Sequence, residues 1–272
     1  MNKANASSWL KLSKHAQIAL IEGARDARPV AGLTHNFYRY PARFSPAFVR
    51  SAIVAFTAPG DTILDPYMGG GTSLVEAIAL GRHAIGVDIS QLAEFVATVK
   101  TTVLEEAELE ALTAWAAGLA DVIHLHRPSI HFADYAEQGY YKHLDHPSRW
   151  RLRRAIEQAL GSAIALHSPR LEAFARCVIL RTAQWALDGR KNLPSMVEFR
   201  KMLVDIAGEM ITGARELRAA VLDQASPATI RIINRSSAGL EDEPSLATMP
   251  TPKLVVTSPP LSVSSSGSAS CN

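Results

Sequence analysis

Cysteine is nearly absent from this chain: 272 residues contain two, Cys177 and Cys271. Two cysteines make no disulfide framework. Cys271 falls in a serine-rich stretch where a bridge to Cys177 is not expected, so the chain reads as one from a reducing compartment. No apolar run reaches the roughly 18 residues of a membrane span. Residues 1–8 are polar and lack the apolar stretch of an export signal, so the expectation is a soluble, cytoplasmic protein with no membrane partner. Net charge is also scarce, at +2, which neither demands nor excludes nucleic acid because a local basic face can hide in a near-neutral total. There is no internal repeat. What is present is ordinary: 47% hydrophobic and 20% charged residues, enough for one large domain or two small ones.

Residues 9–27 have helical spacing, with Leu10, Leu12, Ala16, Ile18, Leu20 and Ile21, until Pro29 and Gly32 break it. Ser45-Pro46 reads as an N-cap with proline at the first helical position, opening a helix through Phe48, Ile53, Val54 and Phe56. Thr62-Ile63-Leu64 is a short buried strand, followed by a glycine loop, a helix from Thr72 to Leu80, and a second strand from His83 to Val87 ending at Asp88. This strand, loop, helix and strand start a doubly wound, Rossmann-like α/β sheet, whose ligands bind at the carboxyl ends of the strands. Four helices are predicted next: Glu105–His126, Arg149–Leu166, Leu171–Leu187 and Met196–Val221. Strands return at Thr229–Ile233 and Leu254–Val256. The expected organisation is an N-terminal helical segment over 1–34, a cofactor-binding part over 35–100, a large helical insertion over 101–225, returning strands over 226–261 and a disordered tail over 262–272.

The loop Asp65-Pro66-Tyr67-Met68-Gly69-Gly70-Gly71-Thr72 carries the first chemistry. Gly69 and Gly71 allow a sharp turn into a helix and close approach of backbone to a ligand. Asp88, nineteen residues after Gly69, sits at the end of the second strand, where a carboxylate accepts hydrogen bonds from ribose hydroxyls. Dinucleotides and S-adenosylmethionine both use that arrangement. Three details favour the methyl donor: Leu74 stands where a dinucleotide fingerprint has its third glycine, Asp65 offers a carboxylate for a cationic amino group, and no lysine follows the glycines to grip phosphate.

Four segments in order then resemble bacterial amino-methyltransferases of DNA, which make N4-methylcytosine or N6-methyladenine: HNFYRYPARFSPAFV, DPYMGGGTSLVEAIALG, HAIGVDIS and KLVVTSPP. The resemblance covers about residues 35–100 and 228–260. It implies S-adenosylmethionine as cofactor and DNA as substrate, in restriction–modification or related host defence. It carries over Phe37, Phe44, Ser45, Asp65, Pro66, Tyr67, Gly69, Gly71, Thr72 and Asp88 as cofactor-site positions, and Ser258, Pro259 and Pro260 as the catalytic loop. Serine at the first position of that loop is more typical of cytosine-N4 enzymes than of adenine-N6 enzymes.

The chemistry explains why such a loop is needed. The lone pair of an exocyclic amino nitrogen is delocalised into its ring. Acceptors aimed at its two hydrogens, here the Ser258 hydroxyl and the Pro259 carbonyl, favour a tetrahedral nitrogen and free the pair. Two prolines have no N–H to compete and keep the acceptors preorganised. The base has to leave the duplex to reach them, and neither cysteine is placed as a nucleophile.

The chain departs from the family pattern in two places. Leu261 stands where the family carries an aromatic residue that stacks on the flipped base, a contact worth about 1–3 kcal/mol. The resemblance also implies three further strands after this loop, where this chain has SVSSSGSASCN. A sheet left without them exposes an apolar edge. The expectation is a chain truncated or frameshifted at about residue 261, its sheet incomplete unless a partner chain or missing segment completes it. The alternatives are a non-catalytic fragment that binds S-adenosylmethionine or DNA, and an RNA amino-methyltransferase.

Weaker signals remain. HLDHPSRWRLRR, residues 143–154, puts four arginines around Trp150, which suits a nucleic-acid backbone or a solvated helix face equally. His124, His126 and His131 fit no standard zinc spacing, and no metal is expected. Arg190-Lys191 after Asp188-Gly189 reads as a turn rather than a phosphate contact.

Overall fold

The computed structural model describes residues 12–40, 44–126, 137, 144, 146–190, 192–225 and 227–258. Among these, four strands form one parallel sheet: β1 (Thr62–Asp65), β2 (His83–Asp88), β3 (Ile230–Asn234) and β4 (Leu254–Val255), in the order β3-β2-β1-β4. The register puts Asp65 opposite Gly86, Asp88 opposite Asn234, and Leu64 opposite Val255. The two central strands are almost wholly buried, as expected of parallel strands covered on both faces.

Local sequence accounts for the helix starts. In α1 (Lys14–Arg25), the Ser13 hydroxyl accepts from the Ala16 N–H. In α2 (Pro46–Phe56), the Ser45 hydroxyl accepts from the Phe48 N–H, and Pro46 fills the first position, where no N–H is needed. After β1 comes α3 (Thr72–Ala79), buried along its whole length, and after β2 comes α4 (Gln91–Thr101), capped by Ser90. The expected strand, loop, helix and strand unit is therefore present, with α3 and α4 packed on the sheet and α2 packed on α3.

Among the described residues, the helical part includes α5 (Glu106–Val122), α6 (Trp150–Ile164), α7 (Pro169–Leu187) and α8 (Met196–Leu222). Predicted and observed ends differ by a few residues; the largest difference is at His126, where the helix ends four residues early. The longest, α8, spans 27 residues, or about 40 Å. Reciprocal caps fix two starts: Ser195 with Glu198 for α8, and Glu105 with Glu108 for α5.

These helices share a core with the part of the chain that builds the sheet. Phe37 and Val99 of α4 are buried in the same cluster as Leu109, Leu119, Phe174, Phe199 and Met210. A second cluster, with Val49, Ile53, Ile63, Met68 and Leu74, lies under the sheet. Cys177 is buried inside the helical core, and burial pushes its thiol up to about 12. Among the described residues no helix is long and apolar enough to cross a membrane.

Candidate active site

Because all four strands are parallel, their carboxyl ends share one edge of the sheet. β1 ends at Asp65, β2 at Asp88 and β3 at Asn234, while Ser258 follows the end of β4 by three residues. A cavity of ≈ 430 Å³ opens there. Its lining brings together Phe44, Asp65, Pro66, Tyr67, Gly69, Thr72, Asp88 and Ser258 from the sequence-predicted set.

The glycine loop is held by backbone bonds on both sides. The Met68 N–H donates to the Val87 carbonyl at 3.0 Å, and the Gly71 N–H donates to the Met68 carbonyl at 2.8 Å. Gly69 has φ 48°, and a Cβ there would sit 3.1 Å from the Tyr40 ring. Its N–H donates to Asp88 Oδ2 at 3.0 Å, while Asp88 Oδ1 accepts from the Ser90 N–H at 2.9 Å. Asp88 thus ties the glycine loop to the start of α4, and each of its oxygens keeps acceptor capacity for a further donor. The buried Lys100 donates to the Gly70 carbonyl at 2.6 Å, anchoring the loop from below.

Asp65 is 2% exposed. The Ser73 hydroxyl donates to its Oδ2 and the Tyr67 N–H donates to its Oδ1 at 3.2 Å. Burial pushes its carboxyl up to about 6, against the opposing pull of those two bonds, and the Asp88 carboxylate adds to the rise. A buried carboxyl in this condition gains from any cation brought against it.

Behind the loop lies a second buried group. His35 Nε2 and Glu76 Oε1 are 2.8 Å apart, and Arg50 donates to Glu76 Oε2 at 3.0 Å. The Thr34 hydroxyl donates to the Lys100 carbonyl at 2.7 Å. Residues 34–35 are thereby fixed to α3 and α4, and Arg50 of α2 joins the same group through Glu76.

Three predicted residues do not line the cavity. Phe37 is 1% exposed in the helical core, edge-on to Phe174 with ring centroids 5.5 Å apart. Ser45 spends its hydroxyl on capping α2. Gly71 is the left-handed N-cap of α3 at φ 71°, and a Cβ there would meet Ala97 Cβ at 2.9 Å, so its glycine serves helix packing. Pro259 and Pro260 lie outside the described residues, as do Leu261, Cys271 and His131.

The sequence reading missed Tyr40, Met68, Gly70, Ile89, Arg235, Ser236 and Ser237, which complete the lining. Tyr40 lies in the segment HNFYRYPARFSPAFV, where no local pattern separates it from its aromatic neighbours. The turn after β3 has no periodicity to mark it. There Arg235 is held by Glu243 Oε2 at 2.6 Å and by the Ala238 carbonyl at 3.1 Å.

Comparison with known proteins covers the stretch of chain that holds the first half of this cavity. Residues 8–98 match the family N6_N4_Mtase, described as DNA methylase. The Type II methyltransferase M.MvaI of Kocuria varians is 38% identical over 80 residues, covering 28% of this chain and 18% of that protein. The Type II methyltransferase M.BsoBI of Geobacillus stearothermophilus is 39% identical over 72 residues, 26% of this chain and 14% of that protein. The Type II methyltransferase M.MjaII of Methanocaldococcus jannaschii is 38% identical over 66 residues, 24% of this chain and 12% of that protein. The matched stretch thus spans less than a fifth of each of these relatives. No solved structure is significantly similar to the chain. Over these residues the chain is similar to DNA methyltransferases. The family match ends at residue 98, ahead of the helices α5–α8 and of Ser258.

Proposed function

We propose that this chain carries the S-adenosylmethionine site and the amino-transfer loop of a DNA amino-methyltransferase of the cytosine-N4 type, acting in restriction–modification. One observation carries the reading. Two carboxylates at strand ends, a glycine loop and a serine 170 residues beyond Asp88 converge on a single cavity.

The residues present fit the cofactor. Asp88 is set at the end of β2 with acceptor capacity for ribose hydroxyls. Asp65 offers a buried carboxyl that a cationic amino group would hold ionised. Gly69 and Gly70 leave the loop backbone bare of side chains, with Tyr40 packed against it. Ile89, 77% exposed, and Phe44 give apolar cover. When bound, S-adenosylmethionine supplies an electrophilic methyl group on a sulfonium.

The rest of the chemistry falls to the chain. The Ser258 hydroxyl accepts from an amino N–H of the base and orients the nitrogen toward the cavity. By the sequence reading, the carbonyl of Pro259 would accept a hydrogen bond from the second amino N–H, and the methylated nitrogen then releases one proton to water. The base enters extrahelically, since the cavity admits no duplex. No covalent enzyme intermediate is needed, which fits a Cys177 thiol sealed in the helical core.

The reading is tested by incubating the chain with duplex DNA and methyl-labelled S-adenosylmethionine, then digesting the DNA to nucleosides. Label in N4-methylcytosine is expected. Label in N6-methyladenine would move the assignment to the adenine class, and absence of label from DNA would contradict the activity.

A further inference from the structure

A second cavity, of ≈ 740 Å³, lies between residues 27–39 and the helices α7 and α8, and it shares no lining residue with the first. Its walls are cationic and aromatic: Arg39, Arg181 and Arg190 line it with Tyr38 and Trp185. Two carboxylates, Asp188 and Glu209, oppose these three arginines. Glu209 is taken up by its ion pair with Arg181 at 2.6 Å. Among the described residues no carboxylate lies at ion-pair distance from Arg39 or Arg190; Glu198, held below the usual carboxylate range chiefly by hydrogen bonds from Ser195, also feels the charge of Arg190.

Both of those arginines are exposed side chains on fixed supports. Arg190 is laid over the Trp185 ring, its guanidinium carbon 4.1 Å from the centroid, and its Nε donates to the Trp185 carbonyl at 2.9 Å. The tight turn at Gly189, φ 66°, brings it there. The turn read from the sequence is present, but it also aims a cation into a cavity. Capping the end of α7 accounts for the Arg190 Nε bond alone. It leaves Arg39 unexplained, whose backbone is clamped by Gln184: the Arg39 N–H donates to Oε1 at 3.2 Å and Nε2 donates to the Arg39 carbonyl at 2.9 Å.

The two cavities adjoin. Tyr38 lines this one and Tyr40 the other, with ring centroids 6.3 Å apart. A nucleic-acid strand carries a phosphate about every 3.4 Å of helix axis. A strand leaving the first cavity therefore reaches the second within a few nucleotides. Guanidinium forks match phosphate oxygens, and such contacts set register without reading sequence.

We propose that this groove holds the phosphates of the DNA strand flanking the target base, with Arg39 and Arg190 as the contacting residues. The inference rests on the DNA reading above. Its test is a salt titration of binding to a fluorescein-labelled duplex by the intact chain, with R39Q, R190Q and the double variant, and with R151Q on α6 as the rival basic surface.

Each phosphate contact contributes about 0.7–0.9 to the slope of log affinity against log salt. Each single variant is expected to lose that amount and the double variant about 1.4–1.8, with affinity near 0.1 M salt down about 25- to 60-fold. R151Q keeps the parental slope, and S-adenosylmethionine titrations stay unchanged in all four. A parent that binds DNA while the double variant keeps its slope overturns this inference and leaves the DNA reading standing. A loss of slope in R151Q instead of the groove variants does the same. A parent that binds no DNA even at low salt overturns both.

Discussion

Replacing Asp65 by asparagine is expected to make the protein more stable and worse at holding its cofactor. The folded-state value of about 6, against 3.8 for the free carboxyl, is a difference of about 2 units caused chiefly by burial. At about 1.36 kcal/mol per unit, the ionised carboxylate costs the fold about 3 kcal/mol above pH 6. Between those two values the folded state holds the proton more tightly than the unfolded chain. The stability that goes with the protonated form is complete below pH 3.8 and lost as pH rises through about 6. Asparagine escapes that cost. It keeps an acceptor for one of the two donors, Ser73 or Tyr67, at a loss of about 1 kcal/mol for the other. The net expectation is a variant more stable by about 2 kcal/mol at pH 8 and by less than about 1 kcal/mol at pH 5. Urea unfolding at the two pH values measures both. The same variant should bind S-adenosylmethionine about 10- to 100-fold more weakly, having lost a charged acceptor. A variant no more stable than the parent at pH 8, or one whose advantage does not change with pH, would refute the reasoning.

Ser258→Ala should abolish methyl transfer to DNA while leaving the calorimetric affinity for S-adenosylmethionine within about twofold, because Ser258 lines the cavity and, in the function proposed above, meets the base rather than the cofactor. Parental transfer rates by that variant would rule out the assignment. Gly71→Ala should destabilise by about 2–4 kcal/mol in urea unfolding, summing the cost of a left-handed alanine and the contact with Ala97. Adding Ala97→Gly should relieve the 2.9 Å contact but not the 3.2 Å approach to the Ala97 Cα, and should itself cost about 1 kcal/mol inside α4. Cofactor affinity of the parent should fall as pH drops through about 6, as Asp65 takes up a proton; an affinity flat from pH 5 to 8 would show that Asp65 does not face a cation.

Much of the first strand, loop, helix and strand unit was legible because its signals are local. Ser45-Pro46 announced α2, and the Asp65–Thr72 run announced the turn into α3. Asp88 was legible because a strand of known polarity ends on it. What could not be read were directions and distant partners. Phe37 has the right type in the right segment, but Phe174, far along the chain in α7, draws it into the helical core. Ser45 and Gly71 were placed correctly in the chain, yet their hydroxyl and missing side chain serve the helices they start. Arg235 and its neighbouring serines reach the cavity only because β3 adds to the far side of β2, a pairing across 146 residues that no local pattern encodes. Arg190 was legible as a turn residue, while its seat over Trp185 depends on the shape of that turn.

The central claim is that the cavity at the strand ends binds S-adenosylmethionine through Asp88. Calorimetric titration of the folded chain, with Asp88→Ala alongside, tests it most directly. Saturable one-to-one binding by the parent is predicted. The variant should lose at least about 100-fold, since it removes both the ribose acceptor and the bond that holds Gly69. Equal binding by parent and variant, or none by a folded parent, would contradict the account.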